Sequence, residues 1–167
     1  GEANGVTDIN RTQDCYEDDD DIPWADPGIR KDYEAALGRL ILAHNDVDLH
    51  LTRLVDRIIS YLGDPPALAK LATGEFAKRV DNVRMLYAIA PDMPLAGIDL
   101  DEMSELNRLR NIVAHGHFDQ NPLQGTYELI TNKKTHADFS TERLDEITER
   151  LEKIKTSIMP VIYFWDD

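Results

Sequence analysis

Leu37, Leu40, His44, Val47, Leu51, Leu54 and Ile58 follow one another at alternating intervals of three and four residues. That interval keeps every one of them on the same side of an α-helix, because side chains three and four apart share a face. The pattern predicts a long first helix over 30–62, ended by Gly63-Asp64-Pro65-Pro66, a run that cannot continue a helix. A seam of this length must be covered by partner helices, so it steers the chain toward a helical bundle.

The remaining pattern supplies those partners. A short helix is expected at 66–72. A firmer one is expected at 75–90, with Phe76, Val80, Val83, Tyr87 and Ala90 on its inner face and Pro91 and Pro94 beyond it. The next, over 99–115, has Leu100, Met103, Leu106, Leu109 and Val113 inward. Acidic Asp99 and Asp101 stand at its start and Gly116 at its end, read as a left-handed stop. After a turn at Asn121-Pro122, residues 126–131 alternate and are rich in strand formers; 132–134 form a turn and 135–139 a returning strand. Ser140 is placed to cap a last helix with Leu144, Ile147, Leu151, Ile154 and Ile158 inward, which Pro160 ends or kinks. The apolar run VIYFW at 161–165 then packs on the core or on a partner chain. The expected class is all-α: a bundle of four to five helices with a small β-hairpin between the fourth segment and the last.

The 167 residues suffice for one domain with a real core. Of the net charge of −14, residues 1–29 carry −8, with nine acidic residues and one basic. That stretch is read as an acidic, disordered tail, and 30–167 as the helical domain. The tail is either simply solvated or a nucleic-acid mimic that covers a basic site. Such acidity argues against broad, nonspecific nucleic-acid binding, which needs many lysine and arginine contacts, and leaves room for a small basic site. No apolar run reaches the length of a membrane span, and no basic-then-apolar leader opens the chain. The single cysteine, Cys15, cannot form an internal disulfide, so a reducing cytoplasm is the default.

Chemistry concentrates in LNRLRNIVAHGHFD. Asn107, Asn111 and His115 are four apart and form one polar stripe; Arg108 lies beside it, and Arg110 sits at the margin of the buried face. The planar fork of arginine suits phosphate. Histidine takes and gives protons near neutral pH, and asparagine can orient either one. Together they can bind a phosphate and move a proton with no metal or other cofactor.

The run Arg110-Asn111-Ile112-Val113-Ala114-His115-Gly116, four residues between Arg and His with an AHG ending, resembles the signature of the HEPN superfamily. The long first helix, the pattern FAKRVDNVRMLYAIA and the polar hairpin before a closing helix resemble the wider layout, which is similar also to mannitol-repressor-like proteins. The resemblance implies a small helical domain that pairs as a homodimer, with two motifs meeting in a cleft that cuts RNA without metal. Carried over, Arg110 stabilises the scissile phosphate, His115 is the general base or acid for attack by the ribose 2′-hydroxyl, and Asn111 orients both. Asn107, Arg108 and His117 are the candidate substrate contacts. Products would carry 2′,3′-cyclic phosphate ends. Such nucleases serve as toxins paired with antitoxins or as phage-defence effectors; other members are non-catalytic regulatory or protein-interaction modules.

Simpler readings stand beside this one. Arg110 can pair with Asp46 or Asp48, while Asn111 and His115 cap backbone groups. His44, on the apolar seam, reads as a core histidine. A metal site from His115 and His117 with His44 or His50 has only spacing to support it, and no Cys or HExxH pattern accompanies it. Lys133-Lys134 reads as a solvated turn or a phosphate contact.

Overall fold

The computed structural model describes residues 22–132 and 134–166. Most of the acidic stretch, with Cys15, and Lys133 lie outside the described residues. Helix α1 spans Pro27–Tyr61 and starts three residues ahead of the expected Arg30. Proline is at home in the first turn of a helix, where its missing N–H has no partner to lose, and the Asp26 side chain caps the end by accepting from Gly28 N at 2.8 Å. The helix stops where expected, with Gly63 and Asp64 in the left-handed region at φ 89° and 54°.

The segment Pro66–Ala72 is a 3₁₀ helix, followed by α2 at Phe76–Ile89 and α3 at Leu100–His115. Asp99 caps α3 by accepting from Glu102 N at 2.9 Å. On α2 the buried apolar set has Leu86 in place of Tyr87, which is on the outside, and two polar residues, Arg79 and Asn82, are buried beside it. Between α2 and α3, Ala90, Met93, Leu95 and Ile98 are buried, so this proline-punctuated loop is itself part of the core.

After α3 the chain is not wholly helical. Three antiparallel strands follow, β1 at His117–Gln120, β2 at Tyr127–Thr131 and β3 at Lys134–His136, in the order β1-β2-β3. The expected hairpin is β2 and a shortened β3. The additional strand, β1, leaves α3 directly through Gly116 and pairs His117 with Ile130 and Gln120 with Tyr127. The all-α expectation is therefore corrected to a mainly helical fold with a small sheet. Phe118 of β1 explains the pairing: its ring lies 4.6 Å from that of Tyr33 on α1 and 4.8 Å from that of Tyr127 on β2. Burial among these rings pushes the Tyr33 phenol up to about 12.

Helix α4, Thr141–Tyr163, is capped by Ser140, whose hydroxyl accepts from Arg143 N at 3.1 Å. It runs through Pro160 for one more turn. At that point few helical bonds remain to be lost, and Ile158 and Val161 on either side are buried. The core is the α1 seam against the inner face of α4, closed by α2 and α3. Among the described residues no helix is long and apolar enough to cross a membrane.

Candidate functional site: a polar cleft between α1, α2 and α3

The polar edge of α3 faces α1 and the first turn of α2. Asn107, Arg110, Asn111 and His115 line a cleft of about 550 Å³ together with His44, Asn45 and Asp48 of α1 and Glu75, Phe76, Ala77 and Arg79 at the α2 end. Four of the six residues singled out on the motif helix and just after it thus share one cavity. Arg108 lies elsewhere: its side chain is bonded to Glu105 at 2.6 and 2.9 Å and borders a different hollow with Lys134, His136 and Asp138. His117 is exposed at the head of β1 and does not line the cleft.

Arg110 makes neither of the ion pairs weighed from the sequence. Asp48 is taken by Arg79, and Asp46 meets Lys155 at 3.5 Å. Arg110 Nη1 donates to its neighbour Asn111 Oδ1 at 3.2 Å, while its Nε is buried with no hydrogen-bond partner among the described residues. The guanidinium therefore keeps capacity for an anion.

Arg79 is the opposite case. It is 7% exposed, and its donors reach Gly74 O, Asp48 O and Thr52 Oγ1 at 2.8–3.0 Å in addition to the Asp48 carboxylate. Every one of those partners belongs to α1 or to the turn before α2. Four of the five Arg79 donors are thus spent on the protein itself, so this side chain fixes the cleft wall.

His44 is 4% exposed, with its Nε2 3.1 Å from Asn107 Oδ1. Burial lowers its pKa from the ordinary imidazole value of 6.5. The charges of Arg110 and Arg79 act in the same direction, and the Asn107 hydrogen bond and the Asp48 carboxylate oppose. A buried histidine kept neutral binds fewer protons than the unfolded chain below that ordinary value, so its contribution to stability is present above pH 6.5 and lost as pH falls through the lowered pKa. Urea unfolding between pH 5 and 8 should show stability falling on the acid side, and His44→Gln should flatten that fall; equal slopes in both proteins would contradict the assignment.

His44, Asp48 and Arg79 were not among the site residues expected from sequence. A signal existed: His44 and Asp48 are four apart on one face, and the histidine is the one polar member of an otherwise apolar seam. His50, its neighbour in the metal reading, points away, with Nδ1 2.7 Å from Asp46 O and its ring 6.1 Å from Tyr163. Among the described residues no three His, Cys, Asp or Glu side chains converge as a metal-ligand set. No model of a known protein family matches the chain, and neither a curated protein nor a solved structure does.

Proposed function

We propose that this protein is a metal-independent endoribonuclease of HEPN type, a cytoplasmic toxin or phage-defence effector that works as a homodimer and is held in check by a protein partner such as an antitoxin. One observation carries the reading: Arg110, free of any carboxylate partner among the described residues, shares a single cleft with Asn111 and His115. An arginine without an ion pair beside a half-open polar cavity is a site for phosphate.

In this reading Arg110 holds the scissile phosphate and stabilises the charge that builds on its oxygens. The 2′-hydroxyl oxygen attacks phosphorus, the bond to the 5′-oxygen breaks, and His115 carries a proton to or from the reacting oxygens. Asn111, already bonded to Arg110, sets the guanidinium plane. The product ends are a 2′,3′-cyclic phosphate and a 5′-hydroxyl. Pairing of two copies would bring two such clefts together; exposed Leu42 and Leu49, one heptad apart on α1, offer apolar surface for a partner.

Purified protein is expected to cut a mixed RNA pool in excess EDTA, leaving cyclic-phosphate ends. His115→Ala should lower the rate by roughly 10²–10⁴-fold, the range for removing a proton-transfer group, and Arg110→Ala by roughly 10²–10³-fold, the range for removing a donor that stabilises developing charge. An uncut pool with folded protein would move the assignment to a non-catalytic HEPN-like module that binds another protein.

A further inference from the structure

Two polar atoms in the cleft have opposite needs. Asn107 Oδ1 can only accept, so the His44 Nε2 facing it at 3.1 Å carries the ring proton. In a neutral ring that leaves Nδ1 as a lone-pair acceptor, and Nδ1 is buried with no partner among the described residues. Arg110 Nε–H, three residues along α3 from Asn107, is a donor and is buried and unpartnered in the same way. Both side chains line the one cleft. Leaving a buried donor and a buried acceptor unmet is costly for each, and a single bond between them would satisfy both.

At the other end of the guanidinium Nη1 donates to Asn111 Oδ1 at 3.2 Å, which leaves its second hydrogen and Nη2 for an outside anion. An anion that binds Nη1 and Nη2 from outside draws the group toward it while the Asn111 bond keeps its plane. We infer that His44 is a positioning residue for Arg110: on ligand binding its Nδ1 accepts from Arg110 Nε–H and locks the guanidinium with both Nη nitrogens directed at a phosphate. The inference rests on the phosphate-binding reading of Arg110. It adds a part that the motif itself does not contain, supplied by α1. Asp48, Glu75 and Arg79 face His44 from α1 and α2, and Arg110 and His115 from α3. Burial and the two guanidiniums favour the neutral ring that the lock requires.

Two substitutions divide the ring's functions. His44→Asn puts a carbonyl oxygen near the Nδ1 position and gives up the Asn107 bond. His44→Gln reaches the Nε2 position, keeps a donor for Asn107 and gives up the acceptor. The probe is a fully 2′-O-methylated RNA oligonucleotide, which the proposed chemistry cannot cut. Its affinity, by fluorescence anisotropy, is expected to fall roughly tenfold in His44→Gln, the worth of one charge-assisted hydrogen bond, and to stay within about threefold in His44→Asn. A histidine that only ties α1 to α3 gives the reverse order and overturns the inference; so do equal affinities in all three proteins.

A second readout does not depend on RNA. The ¹⁵Nε–¹H signal of Arg110 is followed by NMR as inorganic phosphate is added. In the native protein it should shift and become protected from exchange, and in His44→Gln it should do neither. If the oligonucleotide fails to bind while phosphate still protects Arg110 Nε, the RNA reading falls and the lock stands. If the oligonucleotide binds while the Nε signal is indifferent to residue 44, the lock falls and the RNA reading stands. If neither ligand acts, both fall.

Discussion

Truncating Leu51 to alanine is expected to remove about 3–4 kcal/mol of unfolding free energy, the middle of the range for emptying a well-packed leucine site. Leu51 is fully buried in the α1 seam, inside the core that α2, α3 and α4 close. Two properties of the site keep the cost high. The walls are helices held by their own hydrogen bonds, so they cannot collapse far into the space left behind. The neighbours on the seam, Val47, Leu54 and Val55, are also 0–1% exposed, so no solvated side chain can swing in to refill it. A domain of this size has roughly 5–15 kcal/mol in all, so the variant should survive with its urea midpoint sharply lowered and its slope unchanged. Ile89, on α2 and 58% exposed, is the control: Ile89→Ala should change stability by no more than about 0.5 kcal/mol. A Leu51→Ala midpoint close to native would mean that the core along the α1 seam is looser than its burial indicates.

The same seam shows why so much of the fold was legible in the sequence. A helix buried on one side writes its contacts as a period, and α1, α3 and α4 have long, clean periods with recognisable caps at Asp99 and Ser140. The misreadings fall where period and local signal separate. Pro27 and Gly28 look like breakers, yet proline fits a first turn. Pro160 looks like a stop, yet tertiary burial of Ile158 and Val161 carries the last turn past it. Strand β1 has only four residues, half of them exposed, and owes its existence to Phe118 meeting Tyr127 of β2 and, 85 positions earlier on α1, Tyr33, a contact that no local window contains. The candidate site divides along the same line. Asn107, Arg110, Asn111 and His115 stand on one helix and were found by spacing. His44, Asp48, Glu75 and Arg79 come from two other elements and are joined to them only by folding. Arg108 belongs to the same stretch of sequence, but its pairing with Glu105 turns it toward a different surface.

Gly116→Val is expected to damage stability and cleft together, because this glycine is the joint between the motif helix and the sheet. Its backbone is ordinary, at φ −72° and ψ 144°, so the left-handed stop expected from sequence is not the reason for a glycine here. The reason is space. A Cβ on residue 116 would lie 2.7 Å from Ile112 O and 3.3 Å from Leu129 Cβ. The first is the carbonyl that accepts the closing bond of α3 from Gly116 N at 2.8 Å; the second belongs to the residue of β2 that is only 1% exposed. Backbone on one side and a core side chain on the other leave no soft neighbour to yield. Alanine should cost about 1 kcal/mol and valine, with two further carbons, about 3 kcal/mol, as overpacked sites do. The relief movement must shift either the end of α3 or β1 and β2. His115 is the residue immediately before the joint, so the first of these moves its imidazole relative to Arg110. If the proposed chemistry holds, an ångström of displacement there should lower the cleavage rate by about 10²-fold in valine at a temperature where the protein remains folded. Arg110 stands more than a helical turn away and should keep its hold on phosphate, so the loss should fall on kcat and leave KM nearly unchanged. A valine variant that unfolds at the native urea midpoint would show that the joint can open without cost, and that the glycine ending the motif is not there to let helix and sheet approach.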